Sequence, residues 1–230
     1  MTSKTIVVIG ASRGIGRELV IQFAKNETHQ VIALARNLEA MNTEFADFPN
    51  VKSYAIDLNK DSVKTDLEIT FSGISTIDIL INNAGYLVNK PFSEIIHADL
   101  RDSFQVNVIS AIESVQALLP KMKSGSHIVN ISSMGGFQGS AKFPGLTAYS
   151  TSKAALCSFT ELFAEEFKDS GIKMNCLCLG AVQTEMLEEA FPGYLAPMDA
   201  KKMANYITNF ALTAHEWING KIIPVSLSTP

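Results

Sequence analysis

The sequence predicts an α/β fold: one doubly wound, seven-stranded parallel sheet with helices on both faces. Three observations carry this expectation. Short apolar runs rich in β-branched residues alternate with segments of helical period along the chain. A glycine-rich turn, Gly10 to Gly16, joins the first such run to the first helical segment. The 230 residues, 47% of them hydrophobic, suffice for one core, so residues 1–230 read as a single domain that needs no disulfide or metal staple.

Each element has its own local reason. Thr5 to Gly10 (TIVVIG) is short, apolar and β-branched, as a strand covered on both faces requires. Gly14 to Lys25 switches to helical spacing, with Ile15, Leu19, Phe23 and Ala24 on one face. Gln30 to Ala35 is the second strand, Leu38 to Phe45 a short helical stretch, and Asn50 to Ile56 the third strand. Ser62 to Phe71 is amphipathic; Ile77 to Ile81 is the fourth strand and runs into Asn82-Asn83-Ala84-Gly85. A long helix spans Asp99 to Leu119, stopped near Pro120. His127 to Ile131 is the fifth strand, and Ala148 to Lys168 is a second long helix closed by Gly171. Ile172 to Leu179, helical Ala200 to Leu212, and Lys221 to Val225 complete the alternation. Gly135 to Thr147 and Phe191 to Asp199 read as loops, long enough to suggest function.

Composition narrows the partners. With 19 basic and 23 acidic residues the net charge is −4, which argues against nucleic acid. No apolar run reaches the length of a bilayer span, so no membrane association is expected. The opening Met-Thr-Ser-Lys and its six-residue apolar run do not make a signal peptide. Three cysteines, Cys157, Cys176 and Cys178, read as reduced core thiols, and the expected location is cytoplasmic. Cys176-x-Cys178 lacks metal-ligand spacing and the four histidines are scattered, so no metal site is expected.

Gly10-Ala-Ser-Arg-Gly14-Ile-Gly16 is the first candidate site. A helix N-terminus offers free N–H groups and a positive dipole end to phosphate, and glycines let the backbone approach a pyrophosphate. The spacing G-x-x-x-G-x-G is neither G-x-G-x-x-G nor a P-loop. At the end of the second strand, where an acidic residue would bind the ribose 2′-hydroxyl of NAD, the chain has Ala35-Arg36. Arg13 and Arg36 together suit a 2′-phosphate, so NADP(H) is expected over NAD(H). The second candidate is Tyr149-Ser-Thr-Ser-Lys153, whose spacing puts phenol and ammonium on one helix face, one turn apart. A nearby ammonium lowers a phenol's pKa and makes it a tuned proton donor to a carbonyl oxygen. Ser132-Ser133, at the C-terminal end of the fifth strand, supplies hydroxyls where open α/β sheets bind ligands.

Along nearly its whole length, Thr5 to Val225, the chain resembles the short-chain dehydrogenase/reductase family in its compact, single-domain Rossmann form. The resemblance rests on motifs in the correct order: the glycine turn, Asp57 after the third strand, Asn82-Asn83-Ala84-Gly85, Asn107, Ser133 and Tyr149-x-x-x-Lys153. It implies that Tyr149 is the general acid, that Lys153 lowers its pKa and binds the nicotinamide ribose, and that Ser133 polarises the carbonyl. It implies further that Asn107 holds a water in the proton relay to Lys153. Gly10, Ser12, Arg13, Gly14, Ile15 and Gly16 would line pyrophosphate and adenosine. Asp57 and Leu58 would border adenine, Asn83, Ala84 and Gly85 the adenosine side, and Thr184 would reach the carboxamide.

The implied activity is NADPH-dependent reduction of a ketone or aldehyde to an alcohol. A fatty-acid-type 3-oxoacyl thioester reductase is the alternative, and a non-catalytic NADP(H) sensor or scaffold the remote one. A homodimer or homotetramer through the two long helices is also implied. Tyr86, Leu87, Phe137, Phe143, Met186, Leu187, Phe191 and Tyr194 are candidate substrate walls. Leu179-Gly180 replaces the family's Pro-Gly, Glu185 to Asp199 leaves room for only a short lid, and the C-terminal Pro224 to Pro230 lacks the usual Asp-Gly-Gly.

Overall fold

A computed structural model describes residues 3–227; positions 1–2 and 228–230, including the last three of the Pro224 to Pro230 tail, lie outside the described residues. In chain order the strands are β1 (Thr5–Ile9), β2 (Gln30–Ala35), β3 (Val51–Ala55), β4 (Ile79–Asn82), β5 (His127–Ser133), β6 (Lys173–Leu179), β7 (Val182–Gln183), β8 (Met198–Asp199) and β9 (Ile222–Val225). The α-helices are α1 (Gly14–Ala24), α2 (Leu38–Glu44), α3 (Val63–Thr70), α4 (His97–Phe104), α5 (Ser110–Leu118), α6 (Thr147–Glu166), α7 (Glu185–Ala190) and α8 (Ala200–Thr213). Seven strands form a sheet in the order β3-β2-β1-β4-β5-β6-β9, and β7 pairs with β8 separately. Every pairing is parallel. The seven strands expected from the sequence are all present.

Burial explains the strand compositions. The central strands are covered on both sides, so β1, β2, β4 and β6 read as almost continuous apolar runs. On one side α1 and α8 bring Leu19, Phe23, Ile207 and Phe210 into a core with Ile6 and Val8. On the other, α3, α5 and α6 bring Leu67, Val115 and Phe163 onto Val7, Leu80 and Ile128. The edges differ: β3 has no fully buried residue, and β9 carries Pro224, which an edge strand tolerates because it has a partner on one side only. The chain winds outward from β1 through β2 to β3, then returns to β4 beside β1. That reversal opens a crevice beyond the C-terminal ends of β1 and β4.

Four local features differ from the sequence expectation. The helix expected over Asp99 to Leu119 begins at His97 and is interrupted by a π turn, Gln105–Ile109, between α4 and α5. Such an i→i+5 turn widens the helix locally and re-aims the side chains within it. The second long helix ends at Glu166, and Gly171 (φ 76°) serves the turn into β6 rather than the helix end. A Cβ on Gly171 would come within 2.2 Å of the Ser124 hydroxyl. Finally, α7 and the β7–β8 pair occupy segments too short to show a period, with α7 capped by Thr184.

Candidate active site

The crevice is a cleft of about 940 Å³, floored by the strand ends and walled by the glycine turn, α6 and α7. Backbone packing explains the glycine spacing. Gly10 has φ 85°, and a Cβ there would lie 2.6 Å from the Ala84 backbone. At Gly16 a Cβ would meet the Gly10 carbonyl at 1.9 Å, so α1 reaches the strand only because this residue is glycine. Asn83 Nδ2 donates to that carbonyl at 2.9 Å and ties the β4 end to the turn. Arg13 precedes α1 without a side-chain cap, and the first turn of α1 holds no acidic residue. The Glu185 carboxylate of α7 stands opposite, 3.4 Å from where a Cβ on Gly14 would sit, and the N–H groups and dipole of α1 still face the cleft as a cradle that fits the pyrophosphate of a dinucleotide.

Of the residues singled out in the sequence, Gly10, Ser12, Arg13, Gly14, Ile15, Arg36, Asp57, Leu58, Asn83, Ala84, Gly85, Ser133, Tyr149, Lys153 and Thr184 line this one cleft. Two do not. Gly16 is buried behind the turn and supports it instead of lining it. Asn107 lies in the π turn, where Nδ2 donates to Tyr86 O (2.9 Å) and Ser152 Oγ (2.8 Å), and Oδ1 accepts from Tyr86 N (2.7 Å). It clamps the strand following Gly85, and a Cβ on Gly85 would sit 3.6 Å from Lys153 Nζ and 3.7 Å from Asn107 Oδ1. Phe137 is also displaced from its expected place: it packs on Met134 and the cysteines rather than forming a substrate wall.

The α6 wall carries the titratable chemistry. Ser132 turns inward, donating to the Lys153 carbonyl at 2.8 Å, so alternation along β5 leaves Ser133 facing the cleft. Lys153 is 3% exposed; its Nζ donates to Ile131 O at 2.9 Å and lies 5.9 Å from the centre of the Tyr149 ring. Burial pulls the Lys153 pKa down to about 8, against the opposing pull of the three nearby cysteines. Tyr149 departs from the sequence expectation. Burial pushes its phenol above the ordinary range, while hydrogen bonding with Ser133 acts downward. Desolvation is the largest influence on the phenol, and the Lys153 ammonium, 5.9 Å from the ring centre and bonded to Ile131 O, does not reverse it.

The opposite wall is charged and exposed. Arg13 makes a two-pronged ion pair with Glu189 of α7; the NH2–Oε2 contact is 3.1 Å, and the NH1–Oε1 contact is the shorter. That pairing raises the Arg13 pKa and lowers that of Glu189. Sequence reasoning missed Glu189, because nothing local marks a partner lying 176 positions along the chain. Arg36 is exposed directly after β2. Thr184 Oγ1 accepts from Leu187 N at 3.3 Å and so caps α7 across from Gly14. Phe143, Met186, Leu187, Phe191 and Tyr194 give the outer cleft an apolar lining. Among the described residues no helix is long and apolar enough to cross a membrane.

Comparison with known proteins places these features in context. The short chain dehydrogenase family profile matches residues 4–194. "Dehydrogenase/reductase SDR family member 6" of Xenopus laevis is 35% identical over 224 residues, 94% of this chain and 87% of that protein. The "3-oxoacyl-[acyl-carrier-protein] reductase FabG" of Aquifex aeolicus (strain VF5) is 28% identical over 98% of this chain and 97% of its own. Among solved structures, "ElxO with NADP Bound" superposes with a TM-score of 0.85 at 25% identity, covering 98% of both chains.

Proposed function

This chain belongs to the short-chain dehydrogenase/reductase family of oxidoreductases, and we propose that it reduces a ketone or aldehyde carbonyl to an alcohol at the expense of NADPH. The observation that carries this reading is the juxtaposition in one cleft of the glycine turn with its helix N-terminus and the Ser133–Tyr149–Lys153 wall. The cofactor is assigned as NADP(H) because Arg13 and Arg36 border the cleft where β2 ends, with no carboxylate immediately after that strand. The solved neighbour named above carries NADP, and a tyrosine-to-phenylalanine form of it carries NADPH.

When bound, the nicotinamide supplies the hydride. The protein's work is positioning and proton supply. Ser133 hydrogen-bonds the carbonyl oxygen and aligns it with Tyr149. Tyr149 donates its phenolic proton to that oxygen; a phenol held neutral by burial is in the correct state to give it. Lys153, its pKa near 8, stands behind Tyr149 as the nearest cation and stabilises the phenolate left behind. Asn107 keeps the Tyr86 backbone and Ser152 in place beneath Lys153.

The apolar lining selects an apolar carbonyl of modest size. A 3-oxoacyl thioester is the second reading, favoured by the Aquifex relative that aligns along 97% of its length. We assign a single domain, an intracellular setting and a homodimer or homotetramer. The pairing surface would be the outward faces of α4 to α6, where Leu100, Ile109 and Leu162 are exposed. Sedimentation of the purified chain tests that assembly.

Oxidation of NADPH with ketones, aldehydes, quinones and 3-oxoacyl thioesters tests the activity. Turnover confined to carbonyl substrates and abolished in Tyr149→Phe supports the reading, and the best substrate decides between its two forms. Saturable NADPH binding without turnover on any class would favour a sensor or scaffold.

A further inference from the structure

Beneath the catalytic wall lies a cluster that the proposed reaction does not use. Cys157 projects from α6, and Cys176 and Cys178 project from the same face of β6. Cys157 Sγ lies 3.8 Å from Cys176 Sγ and 3.5 Å from Cys178 Sγ, and all three sulfurs are within 4.8 Å of one another. Cys176 and Cys178 are fully buried, and Cys157 retains 8% exposure. All three thiols are free.

The triangle has the dimensions of a coordination site. Thiolate–metal bonds of about 2.3 Å put three sulfurs around one ion roughly 4 Å apart. The surroundings are soft: Met134, Phe137 and Ile222 pack on the cluster, and among the described residues no imidazole or carboxylate joins it. The Ser132 hydroxyl lies 3.4 Å from Cys157 Sγ, and a donor set whose only anionic ligands are thiolates selects soft d10 ions over magnesium, calcium or manganese. One edge is positively charged, because Lys153 senses all three sulfurs electrostatically. Its ammonium balances the single negative charge of three thiolates around a divalent ion.

We propose that Cys157, Cys176 and Cys178 form a trithiolate site for a soft thiophilic cation, entering past Cys157, the least deeply buried of the three. On binding a divalent ion, three S–H bonds break, three sulfur–metal bonds form, and three protons pass to solvent, with no change of oxidation state.

Cadmium(II) titrated into the phosphine-reduced full chain tests this without reference to turnover. The expected result is a thiolate-to-cadmium charge-transfer band in the ultraviolet that saturates at one ion per chain. About three protons should be released per ion in weak buffer. Loss of an outer-shell partner alone weakens metal binding about 10- to 100-fold, so removing one ligand, in Cys157→Ala or Cys178→Ala, should weaken it at least as much. Cys157→Ala lies on the less buried helix side and keeps the test valid if the strand variant does not fold; a cooperative thermal transition certifies the protein used. No band in the wild type, or a band that survives unchanged in folded Cys157→Ala, overturns the proposal.

Discussion

The two walls of the cleft are built on opposite plans. The nucleotide wall is made of exposed charge on a backbone cradle: the Arg13 side chain is 46% exposed, its partner Glu189 62%, and Arg36 stands free of burial after β2. The catalytic wall sets the half-buried Ser133 and Tyr149 on a backing of buried groups, each already committed: Lys153 to Ile131 O, Ser132 to Lys153 O, and Asn107 to Tyr86 and Ser152. Exposed ion pairs are weak and exchange partners cheaply, whereas a buried polar network resists rearrangement because each broken bond leaves an unsatisfied group. Under the proposed function, the chain would thus separate the choice of cofactor, set by replaceable charges, from proton transfer, set by a rigid scaffold.

Substitutions can break this separation from either side. The largest effect is expected for Tyr149→Phe, which removes the proposed proton donor together with its hydrogen bond to Ser133; kcat should fall about 10²- to 10⁴-fold in steady-state assays. Next is a stability effect in the scaffold. His127 is fully buried at the start of β5, accepting from Asn175 at Nε2 (3.0 Å); the Ala211 carbonyl 2.9 Å from Nδ1 can only accept, so Nδ1 carries the proton. Burial pulls its pKa down to about 4. Between the unfolded value of about 6.5 and that folded value, the unfolded chain binds the extra proton. Stability is therefore complete above pH 6.5 and falls as the pH drops toward 4, by about 3 kcal/mol over the whole window. Urea midpoints across that window should fall in the wild type and lose this part of their slope in His127→Gln.

On the nucleotide wall, Arg13→Ala with Arg36→Ala should cut the preference for NADPH over NADH about 10- to 100-fold, leaving the saturated rate nearly unchanged. The ratio of kcat/KM for the two cofactors measures this. The smallest effect concerns the pair itself. Glu189 competes for the guanidinium that a 2′-phosphate would use, so Glu189→Gln should tighten NADPH binding by at most about fivefold. NADH binding should not change, and fluorescence titration of both cofactors separates the cases.

What was legible in the sequence follows the same division. Buried strands announce themselves by continuous apolar runs, so all seven of the main sheet were readable, as was the glycine turn, where Gly16 meets the Gly10 carbonyl within the motif itself. Tyr149 and Lys153 share a helix face by simple arithmetic. The remainder depends on contacts between distant segments or on burial that spacing does not encode. The Arg13–Glu189 pair, the approach of Cys157 to Cys176 and Cys178, and the inward turn of Phe137 are of the first kind. The raised Tyr149 pKa is of the second, because a lysine four residues away predicts the attraction but not the desolvation that exceeds it. The π turn around Asn107 escaped because no residue type marks an inserted turn between two stretches that are each helical, α4 and α5.

The central claim, that binding and chemistry reside on separate walls, is tested most directly by measuring NADPH dissociation constants and single-turnover rates side by side in the wild type and Tyr149→Phe. The account predicts equal NADPH affinity within about twofold, with the reduction rate lower by at least about 10². A Tyr149→Phe protein that reduces its best carbonyl at the wild-type rate, or that loses NADPH binding along with turnover, would contradict it.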